Sequence, residues 1–259
     1  SSISQTKQFL YNPATRDADK SRNFNITGLT LGIAKKLSVP DDYFVLSQAI
    51  SFQYYDLNNY NTGLFTFGNG NSNNLAYTVG LSRNNSFNDP IYPIGGSSFN
   101  LSAKFSFPYS AVSDVDYSEL KNERDAQYDI IAQYANSNSA EEIGLRNTAS
   151  ERIGEIDQLR YKWLEFYKVK FKGEWYTKVV GNLVLKPTFE FGFLGAYNND
   201  RGVIPFERFF LGGDGLGTYS LDGREAIALR GYPNQSLSSQ DGGSIYNKFS
   251  LELRHPITL

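Results

Sequence analysis

Hydrophobic and polar residues alternate one by one along several stretches of the chain. The clearest stretch is residues 98–107, where Phe99 and Leu101 begin an apolar series that alternates with Asn100, Ser102 and further polar side chains. Successive side chains of a β-strand point to opposite faces of a sheet, so the pattern predicts a strand with one apolar face and one polar face. Such stretches have about the length that crosses a bilayer as a tilted strand.

The same alternation recurs in six other segments, so the sequence predicts about seven strands. The other segments are residues 29–33, 44–54, 75–82, 161–172, 188–197 and 245–254. Gly28 shifts the phase between Phe24 and Leu29, which predicts a β-bulge at this glycine.

Residues 161–172 are the most highly charged of these segments. Alternation places one set of side chains on the polar face, which we expect to line a lumen rather than to bind lipopolysaccharide at a rim: Lys162, Lys168, Lys170 and Lys172. The aromatic side chains between them are expected to face outward, as in the interfacial belt of a membrane protein: Tyr161, Trp163 and Tyr167.

The connections between the predicted strands alternate between short and long. Short turns are predicted at residues 39–42, 88–96 and 180–182, and long loops at about 58–74, 111–157 and 199–243. Within the second long loop, we expect a short helix near residues 117–134. Transmembrane barrels have short periplasmic turns and long extracellular loops. The sequence therefore favours an all-β fold, a transmembrane antiparallel β-barrel.

The composition agrees with this prediction. The 259 residues include 18 Tyr, 19 Phe and 23 Gly but no Cys or Met, and the mean hydropathy is −0.42. Lipid-facing and lumen-facing residues cancel in such an average. A soluble β-sandwich remains the alternative on composition alone. No apolar run reaches the length of a membrane helix, and the formal net charge of −2 provides no basic field for nucleic acid.

Candidate catalytic groups are few. His255 is the only histidine, and a single histidine supports neither a multi-histidine metal site nor, without a serine motif, a triad. Glu190 and Glu252 could form a carboxylate pair. We expect them instead to balance basic side chains nearby: Lys186, Lys248 and Arg254. The glycine-rich residues 212–217 lack the ending of a phosphate-binding loop. We therefore expect no enzyme activity, no cofactor and no metal.

Three local motifs are more specific. The segment 203–243 contains Leu229-Arg230-Gly231-Tyr232, and the approach to it reads Phe209-Phe210-Leu211-Gly212-Gly213-Asp214. The turn near residue 90 contains Asp89, then Tyr92-Pro93, then Gly95. The rigid guanidinium fork of Arg230 suits a carboxylate partner, Gly231 permits a tight turn, and Tyr232 provides an amphipathic anchor.

In order and spacing, these motifs resemble the BamA family of outer-membrane assembly factors, in the version found in Bacteroidetes. The resemblance implies that the chain is the central part of a sixteen-stranded barrel, about strands six to twelve, with the POTRA domains and the terminal strands outside this chain. It implies that Leu229 to Tyr232 form a latch in an inward-folded sixth extracellular loop. The approach residues would be Phe209, Phe210, Gly212, Gly213 and Asp214, and the periplasmic turn Asp89, Tyr92, Pro93 and Gly95.

The resemblance also implies a function and a location. A BamA-like protein would insert client β-barrels into the outer membrane of a Gram-negative bacterium, without nucleotide. Its partners would be other Bam lipoproteins, unfolded client proteins, lipid and lipopolysaccharide, and no nucleic acid. Three alternatives remain: a polypeptide-secretion transporter of the same superfamily, a diffusion porin and an outer-membrane hydrolase.

Overall fold

The protein is mostly antiparallel β-sheet. The computed structural model describes residues 1–60, 66–86, 92–213, 225–239 and 241–256. The elements in chain order are β1 (Ser2–Asn12), β2 (Asp17–Lys36), β3 (Phe44–Asn58), β4 (Gly70–Asn84), β5 (Gly96–Ser106), α1 (Tyr117–Gln133), α2 (Ala140–Tyr161), β6 (Tyr167–Val180), β7 (Leu183–Gly195), β8 (Phe209–Leu211), β9 (Glu225–Ile227) and β10 (Ile245–Arg254). Eight strands form one sheet in the order β1-β2-β3-β4-β5-β6-β7-β10.

One face of this sheet, called the outer face below, is apolar and exposed. A single row of directly paired residues crosses five strands on it: Leu31, Ile50, Tyr77, Phe105 and Tyr167. Leu31 and Ile50 are 55% and 56% exposed, and Phe249 in β10 is 79% exposed. A continuous apolar surface of this extent is unusual for a soluble monomer. It is typical of a barrel wall in contact with lipid.

The opposite face, called the inner face, is polar and partly covered. Lys172, Glu190 and Lys248 lie side by side on β6, β7 and β10. Glu190 lies 3.3 Å from the Nζ of Lys248 and 3.8 Å from that of Lys172. The alternation of the sequence thus separates an outer apolar face from an inner charged face, which confirms the central prediction of the fold.

The connections lie at two ends of the sheet and differ in length. One end has the short connections 37–43, 85–95 and 181–182, and the other has residues 13–16, 59–69, 107–166 and 196–244. The last connection is called the β7–β10 loop below. The predicted difference between the two ends is therefore confirmed, although the β1–β2 turn at the long-loop end is itself short.

Strand β1 lies outside the predicted set, so the sheet has eight long strands rather than seven. Polar residues occupy both faces of β1, with Ser4 and Thr6 on one side and Gln5 and Lys7 on the other, and no alternation marks it. The predicted bulge at Gly28 is wrong. Gly28 pairs regularly on both sides, and the register shift of this hairpin lies between Phe9 and Leu10.

Two predicted long loops contain more regular structure than expected. Strand β4 begins at Gly70, so the loop predicted at 58–74 spans only 59–69. The first residues of β4 are polar and do not alternate, which hides them in the sequence. The loop predicted at 111–157 contains the expected helix α1, but α2 continues to Tyr161 and the following strand starts at Tyr167.

The end of α2 also corrects two side-chain assignments. Tyr161 is buried in the core rather than outward-facing, and Lys162 precedes the sheet and is exposed. The segment after α2 instead crosses to β4: the Asn73 amide donates to Lys162 O at 2.8 Å, and the Leu164 amide donates to Asn73 O at 2.7 Å. Apolar residues at the end of α2 and in this crossing segment happen to alternate with polar ones. For this reason the sequence predicted a strand that starts too early.

The helices form a hairpin at the long-loop end. Helix α1 begins at Asp116, whose carboxylate accepts hydrogen bonds from the amides of Ser118 and Glu119 at 3.0 and 3.1 Å, as an N-cap does. Neither helix of the described chain combines the length and the apolar character that a membrane span requires.

The two faces generate a first prediction. The Ile50→Lys substitution places a charge on the outer face and is expected to reduce the free energy of unfolding in lipid vesicles by about 2–4 kcal/mol. The matched variant Ala49→Lys places the same charge on the inner face, where we expect a much smaller loss. Urea unfolding of the full-length protein in vesicles measures both, and equal losses would contradict the assignment of the faces.

Candidate functional site

The β7–β10 loop packs on the inner face of the sheet and forms a hydrophobic core with it. The buried loop residues are Ile204, Phe206, Phe209, Phe210 and Ile227, and the sheet residues that pack with them include Phe24, Tyr55, Leu57, Leu194 and Tyr246. Phe206 and Tyr55 have ring centroids 4.9 Å apart. Because the loop occupies the inner face, it is the candidate functional site.

A glycine on β7 makes room for this packing. Phe209 lies edge-on to Tyr246, with ring centroids 4.7 Å apart, and both rings cover Gly192. A Cβ atom at Gly192 would lie 2.6 Å from the Cζ of Phe209 and still closer to Tyr246. The absence of a side chain at this position therefore sets how closely the loop approaches the inner face of the sheet, which is called the wall below.

Within the loop, the approach residues pair with β9 and, at Gly213, with the motif residues. Strands β8 and β9 are parallel and align Phe209 with Glu225 and Leu211 with Ile227. Beyond them, the Leu229 amide donates to Gly213 O at 2.8 Å. The Gly213 amide donates to Tyr232 O at 2.9 Å, and the Gly212 amide to Ile227 O at 3.1 Å.

The glycines of the approach are required by this close pairing. Gly212 and Gly213 have φ angles of 124° and 102°, which other residues rarely adopt. A Cβ atom at Gly212 would collide with Pro233 O, and one at Gly213 with the side chain of Asn234. The structure thus brings Phe209, Phe210, Gly212 and Gly213 together with Leu229 to Tyr232, while Asp214 lies outside the described residues.

Arg230 and Tyr232 lie at the surface of the loop. Both side chains are exposed, and Gly231 between them has a φ angle of 89°. Within the described residues, Arg230 has no ion pair. Its role as a latch therefore stays a prediction.

Two loop glutamates, which the sequence motifs do not include, make the ionic contacts with the wall. Glu207 pairs with Lys104 on β5 and with Lys168 on β6, the latter at 2.9 Å. Glu225 pairs with Lys168 at 2.5 Å and with Lys170 at 2.9 Å. Burial alone would raise the pKa of Glu207, but Lys104 and Lys168 lower it to about 2. The carboxylate is therefore charged at neutral pH.

Only a weak sequence signal marks these glutamates. Glu207 stands in the apolar run IPFERFF, where an isolated acid among aromatic residues suggests a partner within a core. Of the predicted lumenal lysines, Lys168 and Lys170 contact the loop, whereas Lys172 pairs with glutamates of the sheet. The prediction that Glu190 neutralises Lys248 is confirmed, because the two side chains form an ion pair. Glu252 lies directly opposite Lys186.

A second buried charge network joins the loop to the helical hairpin. Arg201 lies 3.0 Å from the carboxylate of Glu165, and its guanidinium also donates to the carbonyls of Arg160 and Trp163. Arg160 in turn lies 2.7 Å from Asp157. All four charged side chains are buried, so this network fixes the start of the loop beneath the hairpin.

The predicted turn near residue 90 lies at the opposite end of the sheet. The Tyr92 hydroxyl lies 2.7 Å from Arg254 O and 3.0 Å from Asn182 O, so it can donate to either carbonyl. Pro93 is buried and Gly95 is half-buried, whereas Asp89 lies outside the described residues. Tyr92 thus ties this turn to the ends of β7 and β10.

The glycine beneath the loop generates a second prediction. Gly192→Val is expected to displace Phe209 and destabilise the docked loop by about 1–3 kcal/mol, seen as faster tryptic cleavage after Arg208. Gly195→Val is the matched control on the same strand, because the atoms nearest to its Cβ belong to Tyr167, which lies on the outer face and not beneath the loop. Unchanged cleavage in Gly192→Val would contradict the packing model.

Comparison with known proteins assigns the family. No curated protein matches the chain. A family model described as the Omp85 superfamily domain matches residues 2–259 and so takes in the sheet, the helical hairpin and the docked loop. The antiparallel sheet with an apolar outer face agrees with that family's architecture. The chain therefore belongs to the Omp85 superfamily, whose members are outer-membrane β-barrel proteins of Gram-negative bacteria that insert or transport proteins.

Proposed function

We propose that this protein is an outer-membrane insertase of the BamA type, which folds and inserts client β-barrels without nucleotide. The observation that carries the proposal is the β7–β10 loop: it lies on the inner face, and its approach residue Gly213 is hydrogen-bonded to Leu229 and Tyr232 of the motif segment. The motif order described above resembles that of BamA proteins of Bacteroidetes, and this resemblance supports the proposal.

The covered inner face argues for an insertase rather than a porin. A diffusion channel needs an open, water-filled lumen. Here the loop fills the space above β6, β7 and β10 with buried aromatic residues, among them Phe206, Phe209 and Phe210. An insertase acts on clients at its wall and in the lipid beside it, so an inner face covered by a loop is compatible with this function.

The chemistry of the described residues supports a role without covalent catalysis. Within them, no cluster of three or more His, Cys, Asp or Glu side chains could hold a metal. His255 is exposed just after β10, and Glu190 is engaged by Lys172 and Lys248. We propose that the protein is no enzyme, and that its partners are Bam lipoproteins, unfolded client barrels, lipid and lipopolysaccharide.

Depletion of the full-length protein in its host tests this function. Quantitative proteomics of the outer membrane is expected to show a broad fall of many unrelated β-barrel proteins. A depletion strain that instead loses a single secreted polypeptide would point to a secretion transporter of the same superfamily. Loss of solute uptake with normal barrel levels would point to a porin.

The latch gives a third prediction. Arg230→Ala is expected to lower client barrels in the depletion strain, because the proposed ion pair between its guanidinium and a carboxylate would be lost. Arg230→Lys is expected to restore them only in part, since an ammonium cannot form a bidentate pair. Arg146→Ala, which removes another arginine of the long-loop end, serves as the control. Normal client levels in both Arg230 variants would rule out the latch.

A further inference from the structure

The inner wall contains three lysines that the sheet itself does not neutralise. Lys104 and Lys168 lie directly opposite each other on β5 and β6, and Lys170 follows Lys168 on the same face. Like charges in directly opposite positions destabilise a sheet. Among the described residues, the only salt-bridge partners of these three lysines come from the β7–β10 loop. The loop therefore supplies the counter-charge of the lysine triad.

Three other lysines of the same wall pair with glutamates of the sheet itself. Lys172, Lys186 and Lys248 pair with Glu174 and Glu190, which are residues of β6 and β7. That part of the wall is balanced by its own strands. Lys104, Lys168 and Lys170 differ from these three lysines because their carboxylate partners lie on the loop.

The two glutamates lie at the starts of the two parallel strands β8 and β9. Glu207 lies two residues before β8, and Glu225 is the first residue of β9. Lys168 bonds to both carboxylates and also donates to the backbone carbonyl of Glu207 at 2.8 Å. One buried ammonium thus fixes the position of β8 relative to β9.

The backbone at Glu207 provides an independent observation. Its φ angle is 64°, a left-handed conformation that is unfavourable for a residue with a side chain. Such strain persists only where the surroundings over-determine it, and it concentrates at functional positions. Here the strained backbone aims the carboxylate at Lys104 and Lys168.

We infer that Glu207 and Glu225 are the positioning residues of the β7–β10 loop, and that Lys104, Lys168 and Lys170 form the charged seat that holds it on the wall. The inference deepens the proposed function and rests on it, because it assigns how the loop of an insertase is held. The inference also gives different roles to residues of the loop. The two glutamates bind the wall, and Arg230 is exposed and available for other contacts.

Loop position in the purified full-length protein tests the seat directly. Nitroxide labels on cysteines at Leu237 in the loop and at Asn182 in the β6–β7 turn give one narrow distance distribution when the loop is docked. Glu207→Gln combined with Glu225→Gln is expected to add a second, longer distance component. Glu190→Gln, which removes a carboxylate that pairs with two lysines of the wall but not with the loop, is expected to leave the distribution narrow.

A charge swap separates specific pairing from general loss of structure. Glu207→Lys alone is expected to displace the loop, and Glu207→Lys with Lys104→Glu is expected to return the narrow distribution, because the new carboxylate can pair with Lys168 and with the new lysine. An unchanged distribution in the double glutamine variant, or a swap no better than Glu207→Lys, would overturn the inference.

These distances are measured in lipid vesicles without client proteins. They therefore report loop docking even if the depletion experiment assigns the protein to secretion. Conversely, if the distances contradict the role of the two glutamates, the result of the depletion experiment still stands. Heat-dependent mobility of each variant in gel electrophoresis confirms that its barrel is folded before its distances are compared.

Discussion

Lys168 has a side chain only 3% exposed, and both of its carboxylate partners come from the β7–β10 loop. The loop both covers Lys168 and supplies its counter-charge, and a buried ammonium is tolerated only with such a partner. The strained backbone of Glu207, the pairing of β8 with β9 and the burial of Phe209 all follow from the placement of this loop. The ion pairs therefore link the sheet, the loop and the core.

Each face of β7 has a glycine that an aromatic ring covers, and the two glycines serve different contacts. On β7, Gly192 lies beneath Phe209 and Tyr246 on the inner face, whereas Gly195 lies beneath Tyr167 on the outer face. The inner glycine admits a loop, and the outer one lets a ring lie flat against the wall that faces lipid. Alternation along β7 thus serves the docking of the loop and the contact with the bilayer at once.

Much of the sheet could be predicted from the sequence, because a wall between lipid and a polar lumen imposes strict alternation. Strand β1 and the start of β4 could not be predicted, because polar side chains interrupt their outward positions at Gln5 and Lys7 in β1 and at Asn71 and Asn73 in β4. Family resemblance alone marked the approach residues and the segment Leu229 to Tyr232, and it did not predict the hydrogen bonds that join them at Gly213. Glu207 could not be assigned, because its partner Lys104 lies 103 residues away in sequence and no local pattern marks such a contact.

Apolar packing and charge pairing constrain the loop in different ways. The absence of a side chain at Gly192 sets how closely Phe209 can approach, but apolar contacts tolerate sliding along a surface because they are not directional. Ion pairs to Lys104, Lys168 and Lys170 require each carboxylate at one position, so they fix the register of the loop on the strands. A loop held in one register presents the segment Leu229 to Tyr232 at one place relative to the wall. Arg230 is thereby oriented by residues other than those of its own motif.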